Sequence, residues 1–167
     1  MSKKLKLTSV DFDFGVGEII PATQEAYRDG EFIPTIRKTE KESLLVFRSS
    51  VLAQIEKQLV SNEQFPSDGE IFVFIIQYFS STNEYSRRDI DNMAKTILDI
   101  LKDRFYRDDS QVKTLLVGKK IDQRVPQNFA YVAIKKLSLT QDVDALKISG
   151  LERSVTMFQE LKSKKVF

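Results

Sequence analysis

The 167-residue chain contains no cysteine, no histidine and no tryptophan. Without cysteine there is no disulfide framework, no zinc finger and no thiol nucleophile; without histidine there is no imidazole base. A metal bound here must take oxygen ligands, which favours magnesium or manganese over zinc or copper. Glycine and proline are scarce, 6 and 4 residues, and no Pro/Gly-rich linker or repeat divides the chain. No apolar run approaches the ~18 residues that a bilayer requires. The start, MSKKLKLTSVDFDF, alternates polar and apolar residues instead of forming a signal-peptide core, so a cytoplasmic protein with no membrane partner is expected.

What is present is the composition of one ordinary globular domain, 41% hydrophobic and 30% charged. The formal charge is only +2, but it is unevenly spread. Residues 87–136 hold 12 of the 26 Lys and Arg and 7 of the 24 Asp and Glu, so the rest of the chain is the acidic part. A basic region that also contains an acid cluster suits a metal site with a phosphate-binding surround.

The periodicity predicts an α+β domain, a mixed sheet with two main helices in the order β, hairpin, α, β, α, β, β. LKLTSVDFDF reads as a strand with Leu7, Val10, Phe12 and Phe14 as its apolar residues, and Asp29-Gly30 signals a hairpin turn. Thr39 and Glu42 fit a capping box opening a helix whose apolar positions are Leu45, Val51, Leu52, Ile55 and Leu59. IFVFIIQYFS reads as a central strand covered on both faces. Ile90, Met93, Ala94, Ile97, Leu98 and Leu101 stripe a second helix, with Asn92, Lys95, Asp99 and Lys102 on its polar flanks and an end near Arg104. VKTLLVGKKI and FAYVAIKKL read as two strands that pair antiparallel. Residues 1–137 form the expected domain; residues 138–167 are a polar connector and a short C-terminal helix carrying Leu151, Val155, Phe158 and Leu161.

The chemistry concentrates in RDIDNMAKTILDILKDRFYRDDSQV, residues 88–112. Asp89 and Asp91 stand at the entrance of the second helix, Lys95 one turn along, and Asp108 and Asp109 beyond its exit. Singly, each acid has a plain explanation. Ser86, Asp89 or Asp91 can cap the helix, where a negative charge contributes up to ~1 kcal/mol. Asp108 and Asp109 can be turn residues, and Lys95 can pair with Asp91 and Asp99 for ~0.2–0.5 kcal/mol each. Together they say more, because Asp109 leads into a strand expected beside the central one. Two carboxylates ~4 Å apart repel by ~4 kcal/mol at an effective dielectric of 20. A divalent cation relieves that repulsion for three acids where one lysine cannot.

The pattern D-x-D-N-x-x-K, an apolar helix and D-D-x-Q-V resembles the RusA family of Holliday junction resolvases. ATQEAYRD, with Tyr27 and Arg28, resembles a looser form of that family's S-N-x-x-Y-R segment, Ala22-Thr23 replacing its start. The resemblance implies a magnesium-dependent (or manganese-dependent) endodeoxyribonuclease, a homodimer that cuts a four-way DNA junction symmetrically. It implies that Asp89, Asp91 and Asp109 bind the metal and that Lys95 is the essential lysine. Arg87, Arg88, Arg104, Lys113, Lys119 and Lys120 are the expected phosphate contacts, with Arg37, Lys38 and Lys41 on an arm. Two other classes fit the same acids: a non-catalytic junction-binding domain, and a magnesium-dependent nucleotide pyrophosphohydrolase.

Overall fold

In the computed structural model, residues 10–22, 34–122 and 126–137 are described, with side chains in the second stretch from residue 43. Seven main elements follow one another: β1 (Phe12–Val16), α1 (Pro34–Leu59), β2 (Ile71–Phe79), α2 (Thr82–Arg87), α3 (Ile90–Leu101), β3 (Val112–Ile121) and β4 (Phe129–Lys136). They build one mixed four-stranded sheet in the order β1-β4-β2-β3, the expected α+β class. The Asp29-Gly30 hairpin, Leu7, Tyr27, Arg28 and the connector and helix after residue 137 lie outside the described residues.

IFVFIIQYF becomes β2, central as its composition requires, and it is buried at every second residue. Ile71, Val73, Ile75, Gln77 and Phe79 are fully buried. The opposite face, with Phe74, Ile76 and Tyr78, is half-buried, so the strand is fully covered on one face only. On that second face Tyr78 stacks on Phe129 at 4.6 Å and Phe74 meets Tyr131 edge-on at 6.1 Å. Buried Gln77 accepts a hydrogen bond from the Ile20 amide at 2.9 Å and donates to the Glu18 carbonyl at 3.3 Å. It therefore ties the segment after β1 to the sheet.

The expected pairing of β3 with β4 is not found. β3 runs parallel to β2, Ile71 level with Val112 and Phe79 with Ile121. β4 lies on the other side of β2 and is antiparallel to both β2 and β1. Burial gives the reason. In β4, Ala130, Val132, Ala133, Ile134 and Lys135 are all buried, which requires neighbours on both edges, whereas no β3 residue is fully buried and its first four alternate toward solvent, as suits a terminal strand. Parallel β2 and β3 need a long crossover, and α2 and α3 supply it.

Helix α1 starts at Pro34, so Thr39 is inside it and is not a cap. Proline is well placed in a first turn, where its missing N–H has no partner to lose. Phe47, Val51 and Ile55, four residues apart, form its buried stripe. Leu52 and Leu59 pack at its margin, while Leu45 is 53% exposed, so Phe47 and not Leu45 anchors the helix. In α3 the expected stripe buries Met93, Ala94, Ile97 and Leu101 fully and Leu98 partly. Ile90 is exposed, and Ile100 is buried instead. Each fully buried aliphatic side chain contributes on the order of 1.5–3 kcal/mol. Asn92, expected on a polar flank, is also buried.

The last α3 residue is Leu101, three short of Arg104. Asp103 is left-handed, φ 67°, and its amide donates to the Tyr106 carbonyl at 2.7 Å. That turn ends the helix.

Candidate active site

Asp89 is the residue before the first turn of α3, extended at φ −91° and ψ 131°, and its side chain makes no capping hydrogen bond. Its carbonyl accepts from the Met93 amide at 3.2 Å, so the backbone enters the helix while the carboxylate does not cap it. Asp91 follows in the first turn, exposed like Asp89 and Lys95. Among the described residues none of the three has an ion-pair or hydrogen-bond partner. The plain explanations of these residues as cap and helix-surface ion pairs are therefore not realised.

The entrance is fixed from below. Lys119 of β3 donates to the Arg88 carbonyl at 2.7 Å and the Tyr85 carbonyl at 2.8 Å, with its ammonium 4.5 Å from the centre of the Tyr85 ring. Lys119 was expected to meet phosphate; its charge is instead committed to the α2–α3 junction, the backbone that presents Asp89. Sequence alone identified the lysine but not this role. Thr96 works similarly on the buried side, its hydroxyl donating to the Pro21 carbonyl at 2.6 Å.

Asp109 sits at the other end of the helix. It opens a short 3-10 turn, Asp109–Gln111, immediately before β3, and Lys102 just past α3 lies 3.3 Å from its carboxylate. Its neighbours are those of the helix exit: together with Asp99 and Asp103 it adds to burial in pushing the Tyr106 phenol well above its ordinary pKa. Tyr106 is buried and donates to the Leu98 carbonyl at 2.8 Å.

The second half of the motif has a mechanical explanation. Asp108 accepts from the Ser110 amide at 2.8 Å, which holds its carboxyl below the usual range, side-chain contact first and backbone contact second. Gln111 accepts from the Arg107 and Asp108 amides at 2.8 and 2.9 Å and donates to the Ser67 and Gly69 carbonyls at 2.8 and 2.9 Å. Asp108 is thus a turn residue, and Gln111, which the sequence reading passed over, clamps the turn bearing Asp109 to the loop before β2.

The expected convergence of three acids does not occur within one chain. From Asp91 to Lys102 the helix rises about 16 Å, and Asp109 is at the Lys102 end. Among the described residues no group of three Asp or Glu is placed to hold a metal ion. Asp89 and Asp91 alone suit a partly hydrated magnesium, which is commonly held by one or two carboxylates; Asp109 does not join them.

The remaining basic candidates are divided. Arg87 and Lys120 are exposed. Arg88 pairs with Glu84 at 3.5 Å, Arg104 with Glu56 at 3.3 Å and Lys113 with Glu70 at 3.7 Å. Arg37, Lys38 and Lys41 fall in α1, where side chains are not described. No helix among the described residues is long and apolar enough to cross a membrane.

A comparison with curated protein sequences finds no match. The family model described as Endodeoxyribonuclease RusA matches residues 17–134, a span that includes β2, both ends of α3, Lys119 and Gln111. With most of its length matched, this chain belongs to the RusA endodeoxyribonuclease family.

Proposed function

We propose that this protein is a divalent-metal-dependent endodeoxyribonuclease that resolves four-way DNA junctions by paired phosphodiester hydrolysis, acting as a homodimer. The observation that carries this reading is the pair of uncapped, exposed carboxylates at the α3 entrance, with Lys95 one turn away, inside the span matched by the nuclease family. Its donor set is oxygen only, as magnesium or manganese requires.

In this reading Asp89, Asp91 and Asp109 are the acidic ligands. The chemistry that a divalent ion supplies is Lewis-acid polarisation of the scissile phosphate. Lys95 keeps its proton and stabilises the charge that builds on the phosphoryl oxygens as water attacks. Arg87 and Lys120, both exposed, are the phosphate contacts that need no prior rearrangement. Arg88, Arg104 and Lys113 exchange their half-exposed carboxylate partners for phosphate at little cost, since such surface pairs contribute ~0–1 kcal/mol.

Incubation with a synthetic four-way junction, with and without magnesium, tests the reading. Symmetric nicks by the wild type, absent without metal and in Asp91→Asn, are expected. Lys95→Ala should retain junction affinity while losing about 10²-fold or more in turnover. Equal cutting of linear duplex would reduce the activity to that of a general nuclease. Pyrophosphate release from nucleoside triphosphates, with no DNA cleavage, would replace it.

A further inference from the structure

Helix α3 holds Asp89 and Asp91 at one end and Asp109 at the other, while a metal site for the proposed chemistry needs them together. We propose that the active site is composite: Asp109 of one protomer completes the Asp89–Asp91 pair of a second copy of this chain. The inference takes its chemistry from the nuclease reading above, but its geometry stands apart from it.

The geometry follows from the sheet. β3 is a terminal strand, and both half-sites lie at its two ends. At its start, Asp109 leads directly into Val112 through the 3-10 turn. Near its finish, Lys119 grips the Arg88 carbonyl next to Asp89. A two-fold axis through the middle of β3, normal to the sheet, sets two such strands side by side and antiparallel. The same operation brings the start of one β3 beside the finish of the other. It therefore carries the Asp109 turn of each protomer to the α3 entrance of its partner, and does so twice.

The surface fits this occupant. β3 is ten residues long, and Leu115 on it is 40% exposed. A strand edge of that length offers a row of backbone donors and acceptors that another strand can satisfy. Charge also favours the match. The α3 entrance bears two acids that need a cation, and the partner's Asp109 adds the third oxygen donor only when that cation is present. Asp109 is weakly held where it is: its pair with Lys102 is 74% exposed on the aspartate side, and such pairs contribute ~1 kcal/mol at most. The Gln111 clamp, in contrast, fixes the backbone of the turn, so only the carboxylate has to reorient.

Mixed dimers separate this arrangement from a site built within one chain. Asp91→Asn and Asp109→Asn protomers are co-expressed with different tags, and the heterodimer is isolated by sequential affinity steps. A composite arrangement places both substitutions in one site and leaves the other intact, so the heterodimer should nick junctions at about half the wild-type rate, one strand at a time. Each homodimer should be inactive. Wild-type cutting with a dead heterodimer would overturn the inference and leave the nuclease reading standing. If the wild type itself cuts no DNA, the nuclease reading fails, and cross-linking decides the inference alone. The chain has no native cysteine, so Asp91→Cys and Asp109→Cys introduce unique thiols. A short bifunctional thiol reagent should yield covalent dimers from the mixture of the two variants and none from either alone. Monomers only from the mixture, or an intrachain bridge in the double variant, would refute the composite site.

Discussion

Replacing Lys119 by methionine distinguishes two roles for one residue. The side chain keeps its length but loses two charge-assisted hydrogen bonds, at 2.7 and 2.8 Å, and its contact with the Tyr85 ring. Bonds to a charged group contribute ~1.5–3 kcal/mol each, and a cation over an aromatic ring ~0.5–1 kcal/mol at an exposed site. Lys119 is half-buried, so water can take over part of each contact, and the net loss should be about 2 kcal/mol. Urea unfolding followed by circular dichroism would register this as a midpoint lowered by about 1 M, given m near 2 kcal/mol/M. The functional effect should be larger than the stability effect. The Arg88 carbonyl is adjacent to Asp89, and a catalytic group displaced by ~1 Å can lose 10²-fold in rate. Junction cleavage should therefore fall by about that factor while junction affinity stays within about twofold. The opposite result, weakened binding with turnover preserved and an unchanged unfolding midpoint, would mean that Lys119 meets phosphate and that the staple is incidental.

Gln111→Leu should lower stability by about 2–3 kcal/mol, because it leaves two amides and two carbonyls without their partners; thermal unfolding would check this, and a wild-type Tm would contradict it. Alkaline pH should destabilise the fold. Burial first, and then the Asp13 carboxylate 2.8 Å away, push the Tyr131 phenol up to about 12, while in the unfolded chain it titrates at its ordinary value near 10. The folded state therefore binds more protons between these values, and the stability present below pH 10 is lost as pH rises toward 12. Urea midpoints at pH 9 and 11 should fall less steeply in Tyr131→Phe than in the wild type; identical slopes would remove Tyr131 from the account.

The sequence was most legible where burial imposes a period. β2 and the core face of α3 came directly from their apolar patterns, since a central strand and a helix packed on a sheet leave little freedom in composition. Helix α1 was read less well, because Leu45 and Phe47 are both apolar and only packing decides which faces inward. The β3–β4 error came from treating neighbours in the chain as neighbours in space. A connection of seven residues can close a hairpin or step across the end of β2, and the discriminating signal was β4 itself, with Ala130, Val132 and Ala133 too uniformly apolar for a sheet margin. At the site, the residue types were visible but their distances were not. An aspartate two residues from another on a helix start is local information. The position of Asp109 depends on the direction of α3 relative to β3, which no local pattern encodes. Lys119 and Gln111 escaped for a related reason: their partners are backbone atoms, which leave no trace in the side-chain pattern.

The length of α3 acquires a meaning of its own. A helix is stiff, and adding one residue turns everything beyond it by ~100° while advancing it 1.5 Å. With acids fastened at both extremities, α3 is a ruler whose graduation cannot drift without misaligning the chemistry. Surface connections such as residues 122–128 have no such duty. Variation in size among working versions of this architecture should accumulate in those connections, and the interval between the D-x-D and D-D pairs should change, if at all, by whole turns.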